Sequence, residues 1–151
     1  MKILFLDFDG VLNGVTFVRC GERAGAVLDK TKLMLLKQIV DATGAKIVLT
    51  TSWREHWWNN LAECDGTGEA ISLMFRTYGL EILDKTPKLH TAREKEIKSW
   101  LDAHPETENF VVLDDSLLGA DFLGGHFVKT SGYFGGLDET DAQKAIRILN
   151  G

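Results

Sequence analysis

The sequence has little that would place it among zinc-finger, secreted or membrane proteins. Its 151 residues hold two cysteines, Cys20 and Cys64. They fit no C-x-x-C metal spacing, and reduced thiols of a cytosolic protein are expected. The four histidines (His56, His90, His104, His126) are scattered, without an H-E-x-x-H pair, and read as surface or packing residues. No apolar run approaches the roughly 20 residues of a membrane span. The chain opens on a strand pattern rather than a basic leader with a cleavage site, so no secretory signal is expected. There is no G-x-x-x-x-G-K-[ST] stretch to support P-loop kinase chemistry. Repeats and low-complexity tracts are absent. A net charge of -5 argues against non-specific nucleic-acid binding. The expectation is a cytoplasmic protein with no membrane contact and no obligatory protein partner.

What is present is ordinary globular material, 44% hydrophobic and 26% charged. The length suits one domain with a substantial core, so residues 1–151 are read as a single domain. One stretch organises the rest. Ile3-Leu4-Phe5-Leu6 suits a strand buried on both faces of a parallel sheet, and Asp7-Phe8-Asp9-Gly10 follows where the apolar run stops. On extended backbone Asp7 and Asp9 project to the same side, and Gly10 lets the chain turn away. Paired acids at the end of a buried strand repel each other unless a proton or cation offsets the charge. That favours a divalent metal site.

Downstream, a small hairpin is expected within 13–29 around Val15-Thr16-Phe17-Val18. Lys30 to Thr43 reads as an amphipathic helix with Gly44 as its C-cap. Lys46 to Ser52 is a second buried strand ending in hydroxyls. Trp53 to Leu61 reads as helical, with Trp53, Trp57 and Leu61 on one face, and Cys64 to Gly68 breaks it. A helix from Glu69 to Tyr78 and a short strand from Leu80 to Leu83 come next. Thr91-Ala92-Arg93-Glu94 matches a capping box opening a helix with Ile97, Trp100 and Leu101 inward. Asn109 to Leu113 is a third buried strand, ending in Asp114-Asp115, and His126-Phe127-Val128 a fourth. Thr140 and Gln143 offer a second capping box for the last helix, with Ala142, Ile146 and Leu149 inward. Strands alternating with helices predict an α/β fold: a three-layer, Rossmann-like parallel sheet with helices on both faces. In such sheets ligands bind at the carboxyl ends of the strands. Three of those ends carry Asp7 and Asp9, Thr50 to Ser52, and Asp114 and Asp115.

A phosphate ester at this edge would be repelled by bare carboxylates. Mg²⁺ between Asp7 and Asp115 would neutralise the cluster and clamp a phosphate oxygen. One carboxylate can then attack phosphorus. An acid two residues on can protonate the leaving alkoxide and later take a proton from water. A hydroxyl at another strand end can bond a non-bridging oxygen. Arg93, in the first turn of its helix, is the candidate cation, because a bound anion there offsets the macrodipole penalty on positive charge. Lys95 and Lys88 compete with it, and Glu96 or Glu106 are acids it could otherwise pair with.

These motifs resemble the haloacid dehalogenase (HAD) superfamily, most of whose members are Mg²⁺-dependent phosphohydrolases that use an aspartyl phosphate. LFLDFDGVLN resembles the family's first motif, which implies Asp7 as nucleophile and Asp9 as general acid/base. IVLT resembles the second, with Thr50 as first choice and Thr51 as second. VVLDD resembles the fourth, with Asp115 as metal ligand and Asp114 in support. The resemblance implies Asp7, Asp9, Asp114 and Asp115 as oxygen donors around Mg²⁺. Arg93 followed by Ile97 meets the spacing of the third motif, where lysine is commoner. T-S-W-R after the second strand and R-x-x-E-I-x-x-W-L before the fourth motif further resemble the HAD domains found in RNA-repair (Swiss Army Knife) proteins.

The resemblance implies a phosphomonoesterase acting on a nucleotide or a polynucleotide end. A small-metabolite phosphatase, a phosphoryl transferase and a non-catalytic module that binds phosphate ends are the alternatives. Neither 13–29 nor 53–90 offers room for a large cap, so the site is expected to be open. Trp53 and Trp57 read as packing residues, while Trp58, beside Arg54 and off that stripe, is the candidate for stacking a base.

Overall fold

The computed structural model describes residues 1–13, 28–116, 123–132 and 135–151. The hairpin expected around Val15-Thr16-Phe17-Val18, and Cys20, lie outside the described residues. Five strands, β1 (Lys2–Leu6), β2 (Lys46–Leu49), β3 (Ile82–Lys85), β4 (Asn109–Asp114) and β5 (Phe127–Lys129), form one parallel sheet. Its order is β3-β2-β1-β4-β5. The chain builds outward from β1 on one side and then on the other, so the order reverses between β1 and β4. That crevice is where doubly wound sheets bind their ligands.

Among the described residues four helices, α1 (Lys30–Thr43), α2 (Gly66–Thr77), α3 (Arg93–Ala103) and α4 (Glu139–Asn150), cover the sheet. Alternation along the strands decides which helix meets which face. Leu4, Leu6, Ile47, Leu49, Val111 and Leu113 pack with α1, α2 and α4 in the larger core. Ile3, Phe5, Val48 and Val112 point the other way, onto Ile97 and Trp100 of α3 and onto Leu123. The architecture is the expected three-layer sandwich. The segment between β2 and α3 is folded into the core through Trp57, Ile71 and Phe75 rather than raised as a lid, and among the described residues there is no large cap. Among the described residues, no helix is long and apolar enough to cross a membrane.

Helix α1 has the expected bounds, with Asp29 capping Thr31 N–H and Gly44 at φ 71° closing it. Other boundaries differ, each for a local reason. Residues 53–61 do not form a regular helix: a 3-10 turn at Ser52–His56 is followed by another at Leu61–Glu63. The carbonyls of Thr50 and Thr51 are taken by the Arg54 guanidinium, and those of Arg54 and Trp57 by the Lys85 ammonium. Leu61 is exposed instead of inward. Helix α2 starts three residues earlier than expected, because the Asp65 side chain accepts from Gly68 N–H and turns the apparent breaker into a cap. A Cβ at Gly68 would run into the His56 carbonyl. Strand β3, the short strand expected at Leu80 to Leu83, lies two residues later, at Ile82–Lys85.

Neither expected capping box forms. Ala92 caps α3 with no side-chain bond, and the Thr91 hydroxyl reaches only the Ala92 carbonyl, at 3.5 Å. The reciprocal box of α4 is Asp138 with Asp141, two residues before Thr140 and Gln143.

Candidate active site

The register of the sheet builds the site. Leu6 is paired with Leu49 on one side and with Leu113 on the other. The next residues, Thr50, Asp7 and Asp114, therefore form a row across β2, β1 and β4 at the carboxyl edge. Backbone bonds carry the row past the strand ends, from Asp7 N–H to Leu113 O and from Thr50 N–H to Leu6 O. Each follows a residue of the larger core by one, so parity turns the row toward the α3 face. The first residue of α3, Arg93, stands over it. Its Nη1 lies 2.5 Å from Asp114 Oδ2 and 3.1 Å from Asp7 Oδ2.

The row is electrostatically loaded. Asp7 is buried, and its pKa is pushed up to about 7 from 3.8. Burial is the largest cause; Arg93 pulls the other way, and Asp114 and Asp115 add repulsion. Burial and Asp114 likewise push Asp115 upward. Arg93 is driven further toward its charged form: burial opposes the charge, and Asp7 and Asp114 more than offset it.

Asp115 lies just past β4, its carboxylate lodged against the backbones of Gly10 and Gly132. A Cβ at either glycine would collide with it. Gly10 also needs its φ of 81° to turn the chain after Asp9. Asp114 is held from its other oxygen by Ser116, which donates from N–H and hydroxyl at 2.9 and 2.7 Å. The Thr130 hydroxyl donates to Gly10 O at 2.7 Å, tying the loop after β5 to the turn after β1.

Asp9 departs from the expectation. The strand ends at Leu6, so strict alternation does not extend to Asp9, and its exposed side chain leaves the acidic row. Its Oδ2 accepts from Trp53 Nε1 and its Oδ1 from Asn13 Nδ2, both at 3.1 Å. The acids that share one potential ion site are Asp7, Asp114 and Asp115, without the Asp9 carboxylate.

The two candidate hydroxyls separate cleanly. Thr51 Oγ1 accepts from Trp53 N–H and caps the 3-10 turn. Thr50 Oγ1 is fully buried and has no hydrogen-bond partner among the described residues. Of the candidate cations, Arg93 reaches the acids, whereas Lys88 pairs with Glu55 and Lys95 is exposed. Glu96 does not pair with Arg93; it faces Arg54, 2.7 Å away.

Arg54 is the functional neighbour that sequence reasoning missed. Expected beside Trp58 at the surface, it is 7% exposed. It donates to the carbonyls of Thr50, Thr51, Thr86 and Pro87 and to Glu96. Glu96 in turn accepts from Leu89 N–H. The pair locks the Thr50 backbone to α3, the helix that carries Arg93. No local spacing could have paired Arg54 with Glu96, which lies forty-two residues further along the chain. Trp58 is half-exposed, and the Lys85 ammonium sits 3.4 Å from its ring centre.

A divalent cation fits this donor set. Asp7, Asp114 and Asp115 each offer an oxygen, all within 4.8 Å of one another. Hard oxygen donors suit Mg²⁺. The mutual repulsion that raises Asp7 and Asp115 is what a cation would relieve. A search of curated proteins and a search of solved structures each returned no significant match. The family model described as "HAD domain in Swiss Army Knife RNA repair proteins" matches residues 3–142, which span the whole acidic row and the five strands but for Lys2. With nearly the full chain matched and the fold in agreement, this chain belongs to the family of HAD domains in Swiss Army Knife RNA repair proteins.

Proposed function

We propose that the chain is a Mg²⁺-dependent phosphomonoesterase that forms an aspartyl phosphate on Asp7 and acts on a nucleotide or polynucleotide end. Family membership points to a phosphatase-type hydrolase at the superfamily level. The observation that carries the finer reading is the row of Thr50, Asp7 and Asp114 beneath Arg93 at the carboxyl edge of β2, β1 and β4. Asp7, Asp114 and Asp115 would hold the Mg²⁺, which supplies charge neutralisation for an anionic substrate.

The chain's own groups cover the remaining needs. Asp7 attacks phosphorus while the ester bond breaks. Arg93 supplies fixed positive charge beside the incoming phosphate, since a guanidinium stays protonated. Thr50, whose hydroxyl lacks a partner among the described residues, donates to a non-bridging oxygen. Asp9, standing apart from the row and exposed, protonates the leaving oxygen and then takes a proton from the water that hydrolyses the phosphoenzyme. With no large cap over this edge among the described residues, a polymer end has access.

A panel of nucleotides and end-phosphorylated oligonucleotides, assayed for phosphate release with Mg²⁺, tests the reading. Release is expected from at least one class, lost with EDTA and in Asp7→Asn. No release from any substrate, or full activity in Asp7→Asn, overturns it.

A further inference from the structure

The carboxyl group of Asp9 is held from both sides. Each of its oxygens accepts one N–H, from the Trp53 indole and from the Asn13 amide, at 3.1 Å. Both donors are themselves fixed. Asn13 is buried and its Oδ1 accepts Gly10 N–H at 3.0 Å, which orients the amide with Nδ2 toward Asp9. Trp53 packs against the larger core, and its backbone N–H is tied to Thr51 Oγ1. The indole has a single N–H donor, so its partner is unambiguous. A carboxyl oxygen that accepts one such bond keeps a second lone pair to carry a proton.

We propose that Trp53, with Asn13, is a positioning residue that holds the Asp9 carboxyl in the orientation from which it protonates the leaving alcohol. The inference rests on the reading of Asp9 given above. In the first step an Asp7 oxygen forms the new bond to phosphorus and the ester P–O bond breaks. The ester oxygen keeps that bonding pair and takes the Asp9 proton, leaving as the alcohol. In the second step Asp9, now a carboxylate, takes a proton from water as the water oxygen bonds phosphorus. The P–O bond to Asp7 breaks, giving phosphate and the original carboxylate. A side chain free to rotate would present the proton only part of the time, and orientation is a large part of catalysis of this kind.

Trp53→Phe removes the N–H and keeps a ring in the core. The informative quantity is kcat/KM with Mg²⁺ on two substrates, because it reports only the steps through phosphorylation of Asp7. A nucleoside monophosphate releases an alkoxide that needs the proton; p-nitrophenyl phosphate releases a phenolate that does not. The variant is expected to lose on the order of tenfold on the nucleotide and to stay within about twofold on the aryl ester. Its kcat on the aryl ester falls, because hydrolysis of the phosphoenzyme still needs Asp9. Equal loss of kcat/KM on both substrates, or no loss on either, overturns the proposal. Where only an end-phosphorylated oligonucleotide is turned over, it replaces the nucleotide in this comparison, and a wild-type protein inactive on all three substrates overturns the phosphatase reading itself.

A second measurement needs neither turnover nor a folded Trp53 variant. Amide-type exchange followed by NMR should show the Trp53 indole proton of the wild type protected from solvent, and Asp9→Ala should release it. An indole proton that exchanges as fast as that of free tryptophan in the wild type overturns the clamp.

Discussion

Asp7 sits in the folded protein with a pKa of about 7 against an ordinary 3.8. Between those values the fold keeps a proton that the unfolded chain has already released. The resulting contribution to stability is fully present below about pH 3.8 and is lost as pH rises through about 7, with a slope of about 1.4 kcal/mol per pH unit. Asp115 is shifted in the same direction. In metal-free buffer the wild type should therefore lose unfolding free energy between pH 5 and pH 7 relative to Asp7→Asn, which has nothing to ionise at that position. Urea denaturation at a series of pH values measures the gap. A gap independent of pH would contradict the burial of the carboxyl. Arg93 explains why the row is tolerated, since it faces both Asp7 and Asp114.

Among the elements, the short strands and the turns after them are held together by Arg54. Its hydrogen bonds to four carbonyls and to Glu96 tie the turn after β2, the loop after β3 and the first turns of α3. Arg54→Met would leave Glu96 charged and buried and strand those carbonyls, costing about 3–5 kcal/mol. Equilibrium unfolding should register that loss, and a cost below about 1 kcal/mol would mean the pair is wet. The cap of α4 gives a sharper contrast. Asp138→Ala should cost about 1 kcal/mol because it removes the carboxylate oxygen that accepts from Asp141 N–H, whereas Thr140→Ala should change stability by only a few tenths. Equal effects from the two substitutions would move the start of the helix to the position expected from the Thr140–Gln143 pattern.

For the molecule as a whole, the acids of β1 and of β4 are neighbours only in the folded sheet. A cation that binds all three acids binds the native state and not the unfolded chain. Saturating Mg²⁺ at about 100 times its dissociation constant adds about 2.7 kcal/mol, or several degrees in Tm for a chain of this size. Thermal melts with and without Mg²⁺ should show the rise, EDTA should reverse it, and Asp115→Ala should abolish it. A Tm insensitive to Mg²⁺ would count against the ion site. The two faces of the sheet share this task unevenly. The larger core carries α1, α2 and α4, and the smaller presents α3, with Arg93 at its start, to the acids.

Local periodicity and the polar residues that interrupt it determined the five strands, the α/β alternation and the bounds of α1, because these depend on neighbours within a turn or a strand. The apolar run ahead of Asp7 and the run ahead of Asp114 placed two acid sets at one edge for the same reason, and the family resemblance followed from their order. Register and partner choice were settled only in three dimensions. Thr50 was separated from Thr51 by which hydroxyl the backbone left unpaired. Asp9 left the acidic row because the strand ended before it and two N–H groups, one four residues on and one forty-four, held it elsewhere. Arg54 turned inward because Glu96, forty-two positions away, waited in the next layer. A side chain's own chemistry is written in the sequence, but the partner that satisfies it is found across the fold.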